Sequence, residues 1–252
     1  MYWLKIALFS IIDREKEDSN NYIIARYILE NYNRLSGVSL TDIAQQCNLS
    51  KAAVSRFCKE LGLLDYVDLQ MLIRTSGKYE EKAKSNYTVE QQKEEFINQT
   101  SLTFNNFKSA LDDPNIEQLL KDIKKYDSIY TFGHLQASHV AYILSNNLAI
   151  SNKFCFCTQS WLDQKEKLEK ASSKDLFIIF SSSGDYFKRM DVNMSFLDKE
   201  NRPKIYMISS DRNDKQNDKI TTINLGSYIN NLQSNIAMDM FVNYIDYRYR
   251  NL

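Results

Sequence analysis

The sequence predicts two units of different class. Residues 1–76 form an all-α domain, and residues 92–252 form an α/β domain with a doubly wound parallel sheet, an α-β-α sandwich; residues 77–91 are a linker. Three observations carry this division. Residues 39–62, SLTDIAQQCNLSKAAVSRFCKELG, have the spacing of a helix-turn-helix. After Gly77 the stretch KYEEKAKSNYTVEQQKEE is almost without large aliphatics, as in a solvated connector. From about residue 92 onward, short apolar runs alternate with helical stretches, the pattern of strand–helix–strand units.

The opening MYWLKIALFSIIDREKED predicts an amphipathic helix with Trp3, Ile6, Ala7, Phe9, Ser10 and Ile11 on its apolar face. Asp13, Glu15, Glu17 and Asp18 follow without a small-residue cleavage site, which argues against a signal peptide. A second helix is expected over 19–34, with Ile23, Ile24, Tyr27, Ile28 and Tyr32 inward. Ser39 then suits an N-cap accepting from the backbone N–H of Asp42. Leu40, Ile43, Ala44 and Cys47 share one face, and Asn48-Leu49 makes a tight corner. Ser50 caps the next helix, where Ala53, Val54, Phe57, Cys58 and Leu61 recur at helical spacing up to Gly62. That glycine suits the left-handed position past a helix end. Residues 65–75 close the bundle through Tyr66, Leu69 and Leu72.

Opposite this apolar stripe, the cap Ser50 and the residues Lys51, Ala52, Ser55, Arg56 and Lys59 face outward. They offer cations for phosphates, hydroxyls for base edges or backbone, and a small side chain for close approach, which points to duplex DNA. A small bundle with solvated polar faces is the plainer alternative, and Arg56, next to Phe57, can instead pair with a carboxylate of the bundle. Net charge limits the interface. The chain has 32 Lys+Arg against 32 Asp+Glu, and residues 1–77 have nine of each sign, so a nucleic-acid surface must be a local patch. Affinity then rests on a few phosphate contacts per subunit and on dimerisation.

Four cysteines, Cys47, Cys58, Cys155 and Cys157, fall in predicted helices and along one predicted strand, which does not suggest a disulfide framework. The histidines are His134 and His139, and no metal-ligand spacing accompanies them; no metal and no cofactor is expected. A reducing cytoplasm is the predicted compartment, with no membrane-spanning run.

In the second unit, helices are expected at 90–111, 115–125, 136–150, 160–170, 186–200 and 231–249, and strands at 127–132, 153–157, 175–181, 204–209 and 219–224. The third strand, DLFIIFS, is nearly continuously apolar, as in a central parallel strand buried on both faces. Such sheets take ligands beyond the carboxyl ends of their strands. Ser181, Ser182 and Ser183 follow the third strand, Gly184 permits close backbone approach, and a helix start follows, chemistry suited to a phosphate. Gly133 lies at the turn after the first strand, with Gln136 and Ser138 nearby. Capping and turn formation is the plainer reading of each segment.

The helix-turn-helix segment followed by an α/β unit carrying DLFIIFSSSG resembles the RpiR family of bacterial transcription regulators over nearly the whole chain. VSRFCKELG (54–62) and the Ser-x-Ser-Gly at 181–184 are the most specific segments. The resemblance implies a C-terminal SIS (sugar isomerase) domain that senses a phosphorylated sugar or aminosugar. It also implies operator DNA as a partner, control of sugar-uptake or catabolic genes, and a homodimer or homotetramer. Three positions depart from the family pattern. Its Gly-x-Gly-x-Ser turn falls here on Gly133, Leu135 and Ala137, with Ser138 one position further on, and Tyr186 stands where Thr is common. Leu135 and Tyr186 are expected to shrink or reshape the phosphate pocket. A sugar-phosphate isomerase is the alternative of another class, with His134, His139, Asp185 or Glu200 as candidate bases. In a third reading the SIS-like unit only oligomerises.

Overall fold

In the computed structural model the described residues are 3–76, 87–134, 136–190, 192–210, 217–226, 228 and 230–252. The chain divides into two units, Met1–Ser85 and Asn86–Leu252.

Among the described residues the first unit is all-helical: α1 (Trp3–Arg14), α2 (Asn20–Asn31), a 3-10 turn at Tyr32–Arg34, α3 (Leu40–Gln46), α4 (Lys51–Glu60) and α5 (Tyr66–Ser76). Its core gathers Leu4, Leu8, Ile24, Ile28, Ile43, Val54, Phe57, Cys58 and Leu69, each fully or almost fully removed from solvent. The inward face of α1 differs from the expectation. Leu4, Ala7, Leu8 and Ile11 are buried, whereas Phe9 is 53% exposed. Positions 4, 7, 8 and 11 form one stripe at the 3.6-residue period; position 9 lies about 100° around the helix from position 8. The side chains of Trp3 and Ile6 are not among those described.

The second unit runs α6 (Val89–Ala110), α7 (Pro114–Lys125), β1 (Ser128–Gly133), α8 (Gln136–Ile150), β2 (Phe156–Cys157), α9 (Trp161–Glu169), β3 (Asp175–Ser181), α10 (Tyr186–Met190), a 3-10 turn at Met194–Asp198, β4 (Lys204–Ser209), β5 (Thr221–Asn224) and α11 (Asn231–Arg250). Of the expected linker, residues 77–86 lie outside the described residues; α6 begins at Val89, where Thr88 and Gln91 form a capping box.

The sheet order is β2-β1-β3-β4-β5, with every pairing parallel. Alternation along the strands fills two separate cores. Leu176, Ile178 and Phe180 join Ile129, Tyr206 and Ile208 beneath α7, α8 and α11. Phe177 and Ile179 join Phe132, Ile205 and Met207 on the other face, with Tyr186, Phe187 and Phe196. Phe177 through Phe180 are wholly buried, which stabilises by roughly 1.5–3 kcal/mol per side chain. The expected helix over 186–200 is shorter than its pattern. It stops at Met190, and Asn193 caps a separate 3-10 turn by accepting from Ser195 N at 3.0 Å. That local side-chain bond offers the backbone an alternative to continued helix.

Candidate nucleic-acid interface and ligand crevice

Both helices of the helix-turn-helix end in the same hydrogen-bond pattern. At the end of α3, Asn48 N donates to Gln45 O at 3.1 Å and Leu49 N to Ala44 O at 2.8 Å, with Asn48 at φ +54°. At the end of α4, Gly62 N donates to Lys59 O and Leu63 N to Cys58 O, both at 2.9 Å, with Gly62 at φ +76°. This is the paired closure in which one left-handed residue turns the chain sharply and satisfies the last carbonyls. In the corner it brings half-buried Leu49 onto the core. Ser39 caps α3 in a reciprocal box with Asp42, and Ser50 Oγ accepts from Ala53 N at 3.1 Å to start α4.

With α4 thus fixed at both ends, Ala53, Val54, Phe57 and Cys58 are buried, while Ser50, Lys51, Ala52, Arg56 and Lys59 are exposed and Ser55 is half-buried. The nearest acid along α4, Glu60, accepts from the side-chain amide of Asn21 at the start of α2. Among the described residues no carboxylate pairs with Arg56. A cleft of about 330 Å³ lies beside it, lined by Ser19, Asn20, Asn21, Ala53, Arg56 and Glu60. The outward face of α4 is therefore a patch of three exposed cations with a capped, open start.

The second candidate site is at the carboxyl ends of the strands. Strand order reverses between β1 and β3, and open α/β sheets take ligands at such a switch point. Register brings the strand ends level: Gly133 pairs with Phe180, and Ser181 with Ser209. Gly184 N donates to Ser181 O at 3.1 Å, closing a turn in which Gly184 has φ +69°. Ser181 is buried there, and Ser182, Ser183 and Gly184 are half-buried. Ser210, at the end of β4, donates to Ser182 O at 3.1 Å. Gly133 is needed for packing. A Cβ there would lie 2.5 Å from Ala137 O, so a side chain cannot coexist with the first turn of α8. On that turn Gln136 is exposed and Ser138 buried, while Leu135 lies outside the described residues.

A buried glutamine ties the loops around this switch point together. Gln164 on α9 has no exposed surface; its Nε2 donates to Gly133 O at 3.2 Å and to Thr158 O at 2.6 Å. Its Oε1 accepts from the hydroxyl of Tyr186 at 2.5 Å. Tyr186 is 1% exposed, and its ring stacks on His134 with centroids 4.7 Å apart and planes 13° from parallel. Phe187 meets the same ring edge-on at 5.3 Å.

Residues 11–78 match the helix-turn-helix domain of the rpiR family. The N-terminal unit is an rpiR-family helix-turn-helix domain. Over 53 residues the chain is 38% identical to an uncharacterized HTH-type transcriptional regulator of Caldanaerobacter subterraneus subsp. tengcongensis. That match covers 21% of this chain and 19% of the relative, so the chain spans about a fifth of the curated relative it matches. Two solved structures share the fold. The Vibrio vulnificus NanR protein complexed with ManNAc-6P aligns over 98% of this chain and 91% of its own, with TM-score 0.52 and 15% identity. Phosphoheptose isomerase GmhA from Neisseria gonorrhoeae aligns over 66% of this chain and 100% of its own, with TM-score 0.54 and 10% identity. The C-terminal unit thus has the parallel α/β architecture of the SIS fold.

In the rpiR-family domain, burial pushes the thiol of Cys58 up to about 11, and in the SIS-fold unit it pushes Cys155 up to about 12, so both stay protonated at neutral pH. Burial also holds the Tyr186 hydroxyl well above its ordinary range, which keeps it a donor to Gln164. Asp185, Glu200 and His139 are exposed, and His134 is half-buried beside Tyr186. Gln164, Ser209 and Ser210 were not candidates on sequence grounds. The KIYMISS run carries a signal for the two serines, a polar pair at the end of an apolar strand. Gln164 has none, because it sits among polar residues of an amphipathic helix and two of its three partners are 22 and 31 residues away. Among the described residues no group of three His, Cys, Asp or Glu side chains converges, and no helix is long and apolar enough to cross a membrane.

Proposed function

We propose that this chain is a cytoplasmic transcription regulator that grips operator DNA through α4 and senses a phosphorylated sugar or aminosugar through its SIS-fold unit, and that it is not an enzyme. The exposed face of α4 carries the reading: Lys51, Arg56 and Lys59 present positive charge around Ala52, in an rpiR-family domain. Arg56 and Lys59 contact phosphates or guanine edges, Ser50 and Ser55 contact backbone or base edges, and Ala52 allows close approach. Residues 1–76 act as the DNA-binding domain, 77–91 as the connector and 92–252 as the sensor. A homodimer or homotetramer would place two such helices on half-sites one helical turn apart.

In the sensor, the turn of Ser181, Ser182, Ser183 and Gly184 receives the phosphate, with Gly133, Gln136 and Ser138 on the β1 side of the crevice. A ligand that favours one arrangement of two subunits shifts the population of that arrangement and with it the affinity for DNA. The NanR protein, which shares this fold, was solved with ManNAc-6P, and that supports the choice of ligand class.

Selection from a random duplex library tests the reading without a known operator. The wild-type chain should enrich one motif with twofold symmetry, and Arg56→Ala should enrich it weakly or not at all. No enrichment by folded wild type, or equal enrichment by the variant, contradicts the assignment of α4.

A further inference from the structure

The switch point between β1 and β3, where an open parallel sheet takes its ligand, is crossed by the ring of Tyr186. The ring starts from the first residue of α10, just past the turn that follows β3, and lies flat against His134, which follows β1. Its hydroxyl ends on Gln164 Oε1 at 2.5 Å, and Gln164 is held in turn by the carbonyls of Gly133 and Thr158. One side chain therefore meets the loops after β1 and β3 directly, and the loop after β2 through Gln164. It is 1% exposed, so its ring takes up space between the loops and does not line an open wall. A phenol is a flat six-membered ring with a single hydroxyl, close in size to the ring of a pyranose. Stacked on an imidazole and hydrogen-bonded to an amide, it already occupies the place between the loops. The neighbouring turn of Ser182, Ser183 and Gly184 stays half-buried.

We propose that Tyr186 is a specificity-determining residue: it fills the ring-sized part of the crevice and restricts the phosphorylated ligand to short, open-chain compounds of three or four carbons. This rests on the sensor reading above and narrows it. Gln164 is the positioning residue, since its amide fixes the phenol against the β1 and β2 loops. The phosphate is left to the serine turn, beside the plug.

Thermal shift of the full chain tests the proposal with inorganic phosphate, glyceraldehyde 3-phosphate, erythrose 4-phosphate and glucose 6-phosphate. Wild type should be stabilised by the two short-chain esters and unmoved by glucose 6-phosphate, because only a ligand bound to the native state raises stability. Tyr186→Phe keeps the ring and should keep this order, although its own melting temperature falls. Tyr186→Thr removes the ring and should gain about tenfold or more in affinity for glucose 6-phosphate. Equal stabilisation of wild type by glucose 6-phosphate and erythrose 4-phosphate overturns the proposal while leaving a phosphosugar sensor in place, and it does so even if Tyr186→Thr does not fold. A folded Tyr186→Thr protein that still rejects glucose 6-phosphate overturns it equally. No shift with any phosphate compound, in folded wild type and Tyr186→Phe alike, overturns the sensor reading and the size filter together.

Discussion

On α4 the outward side chains face solvent, whereas at the β1/β3 switch point the central polar groups face one another. Arg56 has no carboxylate partner among the described residues, and the neighbouring Glu60 is occupied by Asn21. Gln164, by contrast, has both ends engaged, and Tyr186 is closed in by His134 and Phe187. The first arrangement leaves binding capacity outside the fold; the second uses it within the fold. Substitutions should separate the two regions accordingly. In the crevice they should cost stability first, and on α4 they should cost binding alone.

The largest effect is expected at Gly133, where a Cβ would press on the backbone oxygen of Ala137 at 2.5 Å. Gly133→Ala should lower unfolding stability by about 3 kcal/mol in urea titration, because neither the strand end nor the α8 backbone can yield cheaply. Gln164→Leu comes next. It leaves the Tyr186 hydroxyl and the carbonyls of Gly133 and Thr158 without their partner in a buried place, and a loss of about 2–3 kcal/mol should appear in the same titration. If Gln164→Leu were neutral, the crevice would be as open as α4 and the contrast would fail.

Arg56→Ala should weaken DNA binding by about 1–3 kcal/mol. Its unfolding curve should stay within about 0.5 kcal/mol of wild type, as for surface positions. The smallest effect is pH-dependent. The Ser39 hydroxyl and backbone N–H donate to the Asp42 carboxylate and hold its pKa below the ordinary 3.8. A depressed carboxylate contributes stability above its unfolded value, and the contribution is lost as pH falls through the folded value. Wild type should therefore melt slightly above Asp42→Asn at neutral pH, and the gap should close in strong acid. A gap unchanged by acid would mean that the charge on Asp42 plays no part in the cap.

The same contrast explains what was legible in the sequence. The helix-turn-helix is a local object. Its caps Ser39 and Ser50, its corner at Asn48 and its stop at Gly62 act over three to five residues, so spacing alone exposes them. The strands were readable for a related reason, since burial on both faces makes runs such as DLFIIFS conspicuous. The crevice is assembled from residues far apart in the chain. Ser181–Gly184 could be seen as a phosphate-suited turn, but Tyr186 lying on His134 under the control of Gln164 depends on how three loops meet. The hydrophobic character of Phe9 predicts the inner face of α1, whereas its angle around the helix leaves it exposed.

Salt titration tests the central assignment, DNA held by the exposed cations of α4, most directly. On a duplex recovered by selection, the affinities of wild type and Arg56→Ala would be followed by fluorescence anisotropy over a range of salt concentrations. The expected result is a linear fall of log affinity with log salt. The line for Arg56→Ala should lie lower and be shallower by about 0.9 for each phosphate that the arginine neutralises. Superimposable lines for the two proteins would contradict the assignment and move the DNA-binding surface off α4.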